Sequence, residues 1–77
     1  MKVRFRNIDD IERFVGLASQ LQSDVIVGSG NRVVDGKSSL GMMQLNLNEE
    51  YIVSFVDRDP TETDAFIGLL KEGGIAL

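Results

Sequence analysis

A chain of 77 residues with a net charge of −4 and no cysteine holds one small core, excludes disulfides and thiolate metal sites, and lacks the basic stripe that nucleic acid requires. Its hydrophobic fraction of 43% is too high for disorder, yet no apolar run approaches the ~20 residues that span a bilayer. Met1 to Arg6 has no apolar h-region, so the expectation is a cytoplasmic monomer, one domain over residues 1–77, with no membrane and no nucleic acid among its partners.

Lys2 to Arg6 alternates polar and apolar, with Val3 and Phe5 on one face, as a half-buried strand does. Asn7 and Asp9 are good caps, and Asp10 and Glu12 follow each of them at capping-box spacing. Ile8, Ile11, Phe14, Val15, Ala18 and Leu21 recur at helical spacing, which predicts a helix of about 13 residues with one apolar face. Asp24 to Gly28 and Arg32 to Asp35 read as the two arms of a hairpin turning at Ser29-Gly30-Asn31. Ser38 or Ser39 caps a short helix reaching about Leu45, and Tyr51 to Val56 is a strand rich in β-branched and aromatic residues. Asp59-Pro60-Thr61-Glu62 starts a last helix with Ala65, Phe66, Leu69 and Leu70 as its buried stripe, and Gly73-Gly74 ends it. The order β-α-β-β-α-β-α implies an α+β domain with helices on one face of an antiparallel sheet.

One segment is more distinctive than the rest: Asp35-Gly36-Lys37-Ser38-Ser39-Leu40-Gly41-Met42-Met43-Gln44-Leu45. A Lys-Ser pair, a glycine shortly after it and then a Met/Leu run resembles the regulatory-serine segment of the HPr family, small phosphocarriers of the bacterial sugar phosphotransferase system. The resemblance runs ungapped from the first helix to Leu45; the last strand and helix agree in pattern only. It implies an open-faced β-sandwich, its four-stranded antiparallel sheet ordered 1-4-2-3. It places Ser38 at the serine that an ATP-dependent HPr kinase phosphorylates in many Gram-positive bacteria. It also sets Leu40 and Met43 at outward positions that dock partners, with Lys37, beside the serine, as a third partner-binding residue and Met42 and Leu45 inward. The partners implied are proteins, an HPr kinase or a transcriptional regulator; no cofactor and no metal is implied.

The family's relay histidine is missing. Extending the alignment backwards sets Asn7 at the phosphohistidine, Ile8 at the following alanine, Asp9 at the arginine and Asp10 at the proline, and the loop before them is shortened. The chain has no histidine anywhere. A relay needs an imidazole nitrogen as nucleophile and a cation beside the phosphoryl group. Asn7 supplies neither, and Asp9 brings the wrong charge; an acid in a first helical turn is a cap before it is an aspartyl-phosphate site.

Three kinds of role follow. The first is a non-catalytic HPr-like regulator of the carbon-catabolite type, unable to carry phosphoryl on histidine and open to control at Ser38. The second is an adapter or structural domain that inherited the fold and binds an unrelated protein. The third, an enzyme, has no support, because no nucleophile–base pair exists. The scattered acids Glu49, Glu50, Asp57, Asp59, Glu62 and Asp64 read as a solvated rim rather than a metal loop.

Overall fold

The computed structural model describes residues 1–77. Strand β1 (Lys2–Arg4) leads into helix α1 (Ile8–Ala18). Strands β2 (Asp24–Ser29) and β3 (Arg32–Asp35) form the hairpin, and helix α2 (Ser39–Met42) follows. Strand β4 (Glu50–Val56) and helix α3 (Pro60–Glu72) complete the order. The four strands form one antiparallel sheet ordered β1-β4-β2-β3.

The period-2 rule decides which residues are buried. Val3, Val25, Val27, Tyr51 and Val53 alternate with exposed neighbours and share one face of the sheet. Ile11, Phe14, Val15 and Ala18 of α1, Met42 of α2, and Phe66 and Leu70 of α3 complete the same apolar cluster. At its centre Phe14 meets Phe5 and Phe66 edge-on, with ring centroids 5.4 and 5.3 Å apart. The three helices lie on this face, and the opposite face of the sheet is open.

Several expectations need correction. Helix α1 stops at Ala18, and Leu21 is buried from the turn beyond it. Ile8 is exposed, because the inward slot of the first turn belongs to Asp10. In α3 the inward stripe is Thr63, Phe66 and Leu70, while Ala65 is exposed and Leu69 keeps 40% of its surface. Thr63 tolerates burial because its hydroxyl donates to Asp59 O at 3.0 Å and accepts from Arg58 Nε at 2.8 Å. Phe55 is only half-buried, packing edge-on to Phe66.

The chain also continues usefully past α3. Gly74 turns it with φ 77°, and Ile75 is fully buried. Arg4 N donates to Ile75 O at 2.9 Å and Leu77 N to Lys2 O at 3.0 Å, so Ile75–Leu77 lies along the outer edge of β1. That leaves β3 as the free edge of the sheet.

Candidate functional site

The segment around Ser38 is held by backbone geometry. Gly36 N donates to Val25 O at 2.7 Å, and a Cβ on Gly36 would lie 2.7 Å from Val25 Cγ1 and 3.1 Å from Phe14. Only glycine lets the chain leave β3 so close to the core. Asp35 Oδ1 then accepts from Lys37 N at 2.9 Å, which bends the backbone toward α2.

Ser38, not Ser39, is the cap of α2. Its Oγ accepts from Gly41 N at 3.1 Å and its carbonyl accepts from Met42 N at 2.9 Å. Gly41 makes room for this: a Cβ there would sit 3.3 Å from the Ser38 Oγ. The Lys37 ammonium donates to Leu21 O at 2.7 Å, so it ties the loop to the turn after α1.

Helix α2 has two faces. Met42 is completely buried and Leu45 nearly so, anchoring the helix, whereas Leu40 is 79% exposed and Met43 is also exposed. Exposed apolar side chains continue on either side, as Ile8 at the start of α1 and Leu47 after α2. Leu47 is held by its neighbours: Asn48, at φ 65°, donates to Phe5 O at 2.7 Å, and Asn46 N donates to the Tyr51 hydroxyl at 2.8 Å. Tyr51 in turn donates to Glu49 at 2.6 Å, and burial, followed by that hydrogen bond, raises its pKa.

The start of α1 is occupied by an internal carboxylate. Asn7 Oδ1 accepts from Asp10 N at 2.9 Å and caps the helix. Asp10, nearly buried, accepts from Arg6 N and Nε, both at 2.9 Å, and from a terminal guanidinium nitrogen at 3.1 Å. The same guanidinium reaches Gly73 O at 2.6 Å, joining the end of α3 to the start of α1. Arg6 hydrogen bonding is the main reason the Asp10 carboxyl titrates below the usual range. Asp9 stays exposed at the helix start.

That pair has a pH signature. Because Asp10 has a depressed pKa when folded, its contribution is complete above the unfolded carboxyl value of about 3.9 and disappears as pH falls through the lower folded value. Asp10→Asn is therefore expected to lose stability at neutral pH but to show a shallower decline below about pH 4 than the parent protein. Urea midpoints measured across pH 2–7 check this; parallel curves for the two proteins would contradict it.

Ser38, Leu40 and Met43 thus stand on α2 and its ends, and the Asn48–Phe5 hydrogen bond ties the loop that carries Leu47 to the chain entering α1, where Asn7 and Ile8 stand. Ile8 and Leu47 were not expected here from sequence. A single exposed apolar residue at a helix start or in a loop carries no periodic signal. Arg6 and Gly73 were likewise invisible, being joined only by the fold.

Residues 10–71 match the family model described as the PTS HPr component phosphorylation site. The chain belongs to the HPr family. The match begins at Asp10, after Asn7, Ile8 and Asp9, and includes Ser38 and the whole of α2. Among solved structures the chain is similar to the crystal structure of HPr-C-His from Thermoanaerobacter tengcongensis, with a TM-score of 0.74 and 20% identity. The similarity covers 94% of this chain and 90% of that one, and establishes the HPr fold. No curated protein sequence matches the chain. HPr proteins are phosphocarriers that act through other proteins rather than enzymes in themselves. No helix here is long and apolar enough to cross a membrane.

Proposed function

We propose that this HPr-family protein is a non-catalytic cytoplasmic regulator of the carbon-catabolite type, whose working surface is the exposed apolar side of α2 and which is controlled by phosphorylation of Ser38. The observation that carries the proposal is Leu40. It is 79% exposed on a four-residue helix whose core anchoring is already supplied by Met42. An apolar side chain so displayed, next to an exposed Met43 and with Ile8 and Leu47 on the flanks, suits an adaptable protein partner.

Ser38 lies at the margin of that surface. Its hydroxyl accepts a hydrogen bond but donates none within the protein, and it is half-exposed. A phosphate there would meet free N–H groups at the start of α2, and no carboxylate lies in the first turn to repel it. The added charge would change how Leu40 and Met43 meet a partner, a transcriptional regulator in the family's manner, while leaving the fold intact.

Incubation with ATP and an HPr kinase, followed by mass analysis of the peptide containing Ser38, tests the reading. One phosphate on Ser38 is the expected result; labelling of Ser39, or none, overturns the regulatory part. Ser38→Ala should abolish labelling yet cost only about 0.5–2 kcal/mol in urea unfolding, the loss of a single capping bond. Amide shifts on phosphorylation should cluster between Gly36 and Leu45.

A further inference from the structure

The two edges of the sheet are finished differently. Ile75–Leu77 covers the outer side of β1, whereas no strand pairs with the outer side of β3. Gly36 N donates to Val25 O, so alternation along the ladder turns the backbone groups of Val34 and Arg32 toward β2 as well. Those of Val33 and Asp35 point outward. The Asp35 carbonyl accepts from Ser38 N at 3.0 Å, which leaves Val33 N–H, Val33 C=O and Asp35 N–H without backbone partners. No proline, bulge or covering segment closes this edge.

Beside that edge, on the open face of the sheet, lies a groove of about 390 Å³ whose lining includes Ile26, Val33, Val56, Asp24 and Asp35. Val33 keeps 66% of its surface, and Val56 is exposed as well. Asp35 stands directly across from Ile26, and Asp24 lies two residues before Ile26 on β2. Neither acid has a cation within ion-pair distance. Lys37, the nearest lysine in the chain, is committed to Leu21 O. The groove thus combines an apolar floor with two unneutralised carboxylates, and it adjoins a row of free backbone groups.

We propose that the β3 edge takes an extended segment of a partner protein as a fifth strand, antiparallel to β3 and carrying a basic residue two positions before an apolar one. Each part of that description has its own observation. An extended backbone answers the free groups: the residue opposite Val33 exchanges two hydrogen bonds with it, and the residue opposite Asp35 accepts from its N–H. Residues opposite one another share a face, so both of these side chains lie on the open face beside the groove. The one opposite Val33 meets an apolar neighbour, the one opposite Asp35 meets a carboxylate, and antiparallel order puts the basic residue first. With strands about 4.8 Å apart and two-residue steps of about 6.7 Å, its Cα stands about 12 Å from that of Asp24. An arginine there spans the groove and reaches both acids. A second copy of this chain does not fit, because its own β3 edge offers Val33 two residues before Asp35, apolar and then acidic. So few main-chain bonds place the complex in the weak, transient class. The roles assigned to Ser38 and Leu40 do not enter the argument.

The probe is the capped peptide acetyl-Thr-Arg-Thr-Ile-Thr-amide, titrated to roughly 1 mM against isotope-labelled protein while backbone amide shifts are read. Shifts should centre on Val33 and Asp35, extend to Asp24, Ile26 and Val56, and spare Leu40 and Met43. Methylating the Ile nitrogen of the probe removes one main-chain donor and should weaken binding about fivefold or more. Replacing its Arg by Glu should do the same. Combining Asp24→Asn with Asp35→Asn keeps a side-chain acceptor for Lys37 N. That double variant should bind the arginine probe about fivefold more weakly, yet bind a probe with Thr in place of Arg as the parent protein does, which separates lost charge from lost fold. Absence of binding at the highest concentration overturns the proposal, as do shifts confined to α2 or equal affinity for the methylated probe. So does the appearance of the Val33 and Asp35 shifts on concentrating the protein alone, which would make a second copy the occupant.

Discussion

Phe14→Ala is expected to lose about 3–5 kcal/mol, enough to unfold much of so small a domain. Phe14 is completely buried and its ring bridges Phe5 and Phe66, so truncation opens a space that three elements line. Neighbouring Gly36 cannot close in to fill it without moving the chain that leads to Ser38. Leu69→Ala is the matched control. Leu69 sits on the exposed side of α3, and its loss should cost under about 1 kcal/mol. Urea midpoints for the two variants should therefore differ widely; equal midpoints would mean that the packing faces of α1 and α3 are misplaced.

Phosphotransfer is the second large effect, and the expected result is none. In the presence of phosphoenolpyruvate and enzyme I, the donor pair of the HPr family, the protein should acquire no acid-labile phosphoryl group. Asn7 has no nucleophilic nitrogen, and its side chain is committed to capping α1. Arg6 is the cation nearest the helix start, but its guanidinium is paired with Asp10 and Gly73 O. A phosphoryl group arriving there would meet the Asp10 carboxylate, ionised at neutral pH, before any free cation. Acid-labile label on the intact protein would refute this.

Much of the fold was legible from local signals. Each of the three helices starts at a cap that the sequence offered, Asn7 rather than Asp9, Ser38 rather than Ser39, and Asp59, and each accepts a backbone N–H of the first turn. The strands follow period-2 alternation, and the hairpin turns at Gly30 with φ 60°. What was not legible shares one cause. Thr63 and Asp10 are polar residues in inward slots, and a hydropathy pattern assigns such slots to apolar neighbours. Ile8 and Leu69 took their places in the expectation and proved exposed. Burial of Thr63 and Asp10 depends on partners elsewhere in the chain, Asp59 O and Arg58 for one and Arg6 for the other. The pairing of Ile75–Leu77 with β1 was hidden for a related reason, since three residues are too few to show a period.

At the site, the Ser38 segment was readable because its residues are contiguous. The Lys37 ammonium was not, since its acceptor is a backbone carbonyl at Leu21. Nor was the Arg6–Asp10–Gly73 junction, whose third member lies at the far end of the sequence.

The double pairing of β1 bears on how the molecule assembles in time. Val3 finds one neighbour at Tyr51 and the other at Ala76, so neither ladder forms until most of the chain has been drawn together. Loop-closure entropy makes such contacts late, while the β2–β3 hairpin and the helices need only nearby residues. The rate-limiting ensemble should contain the hairpin and α1 with β1 still detached. Strengthening β1 would then prolong the life of the folded state and leave the speed of folding almost unchanged.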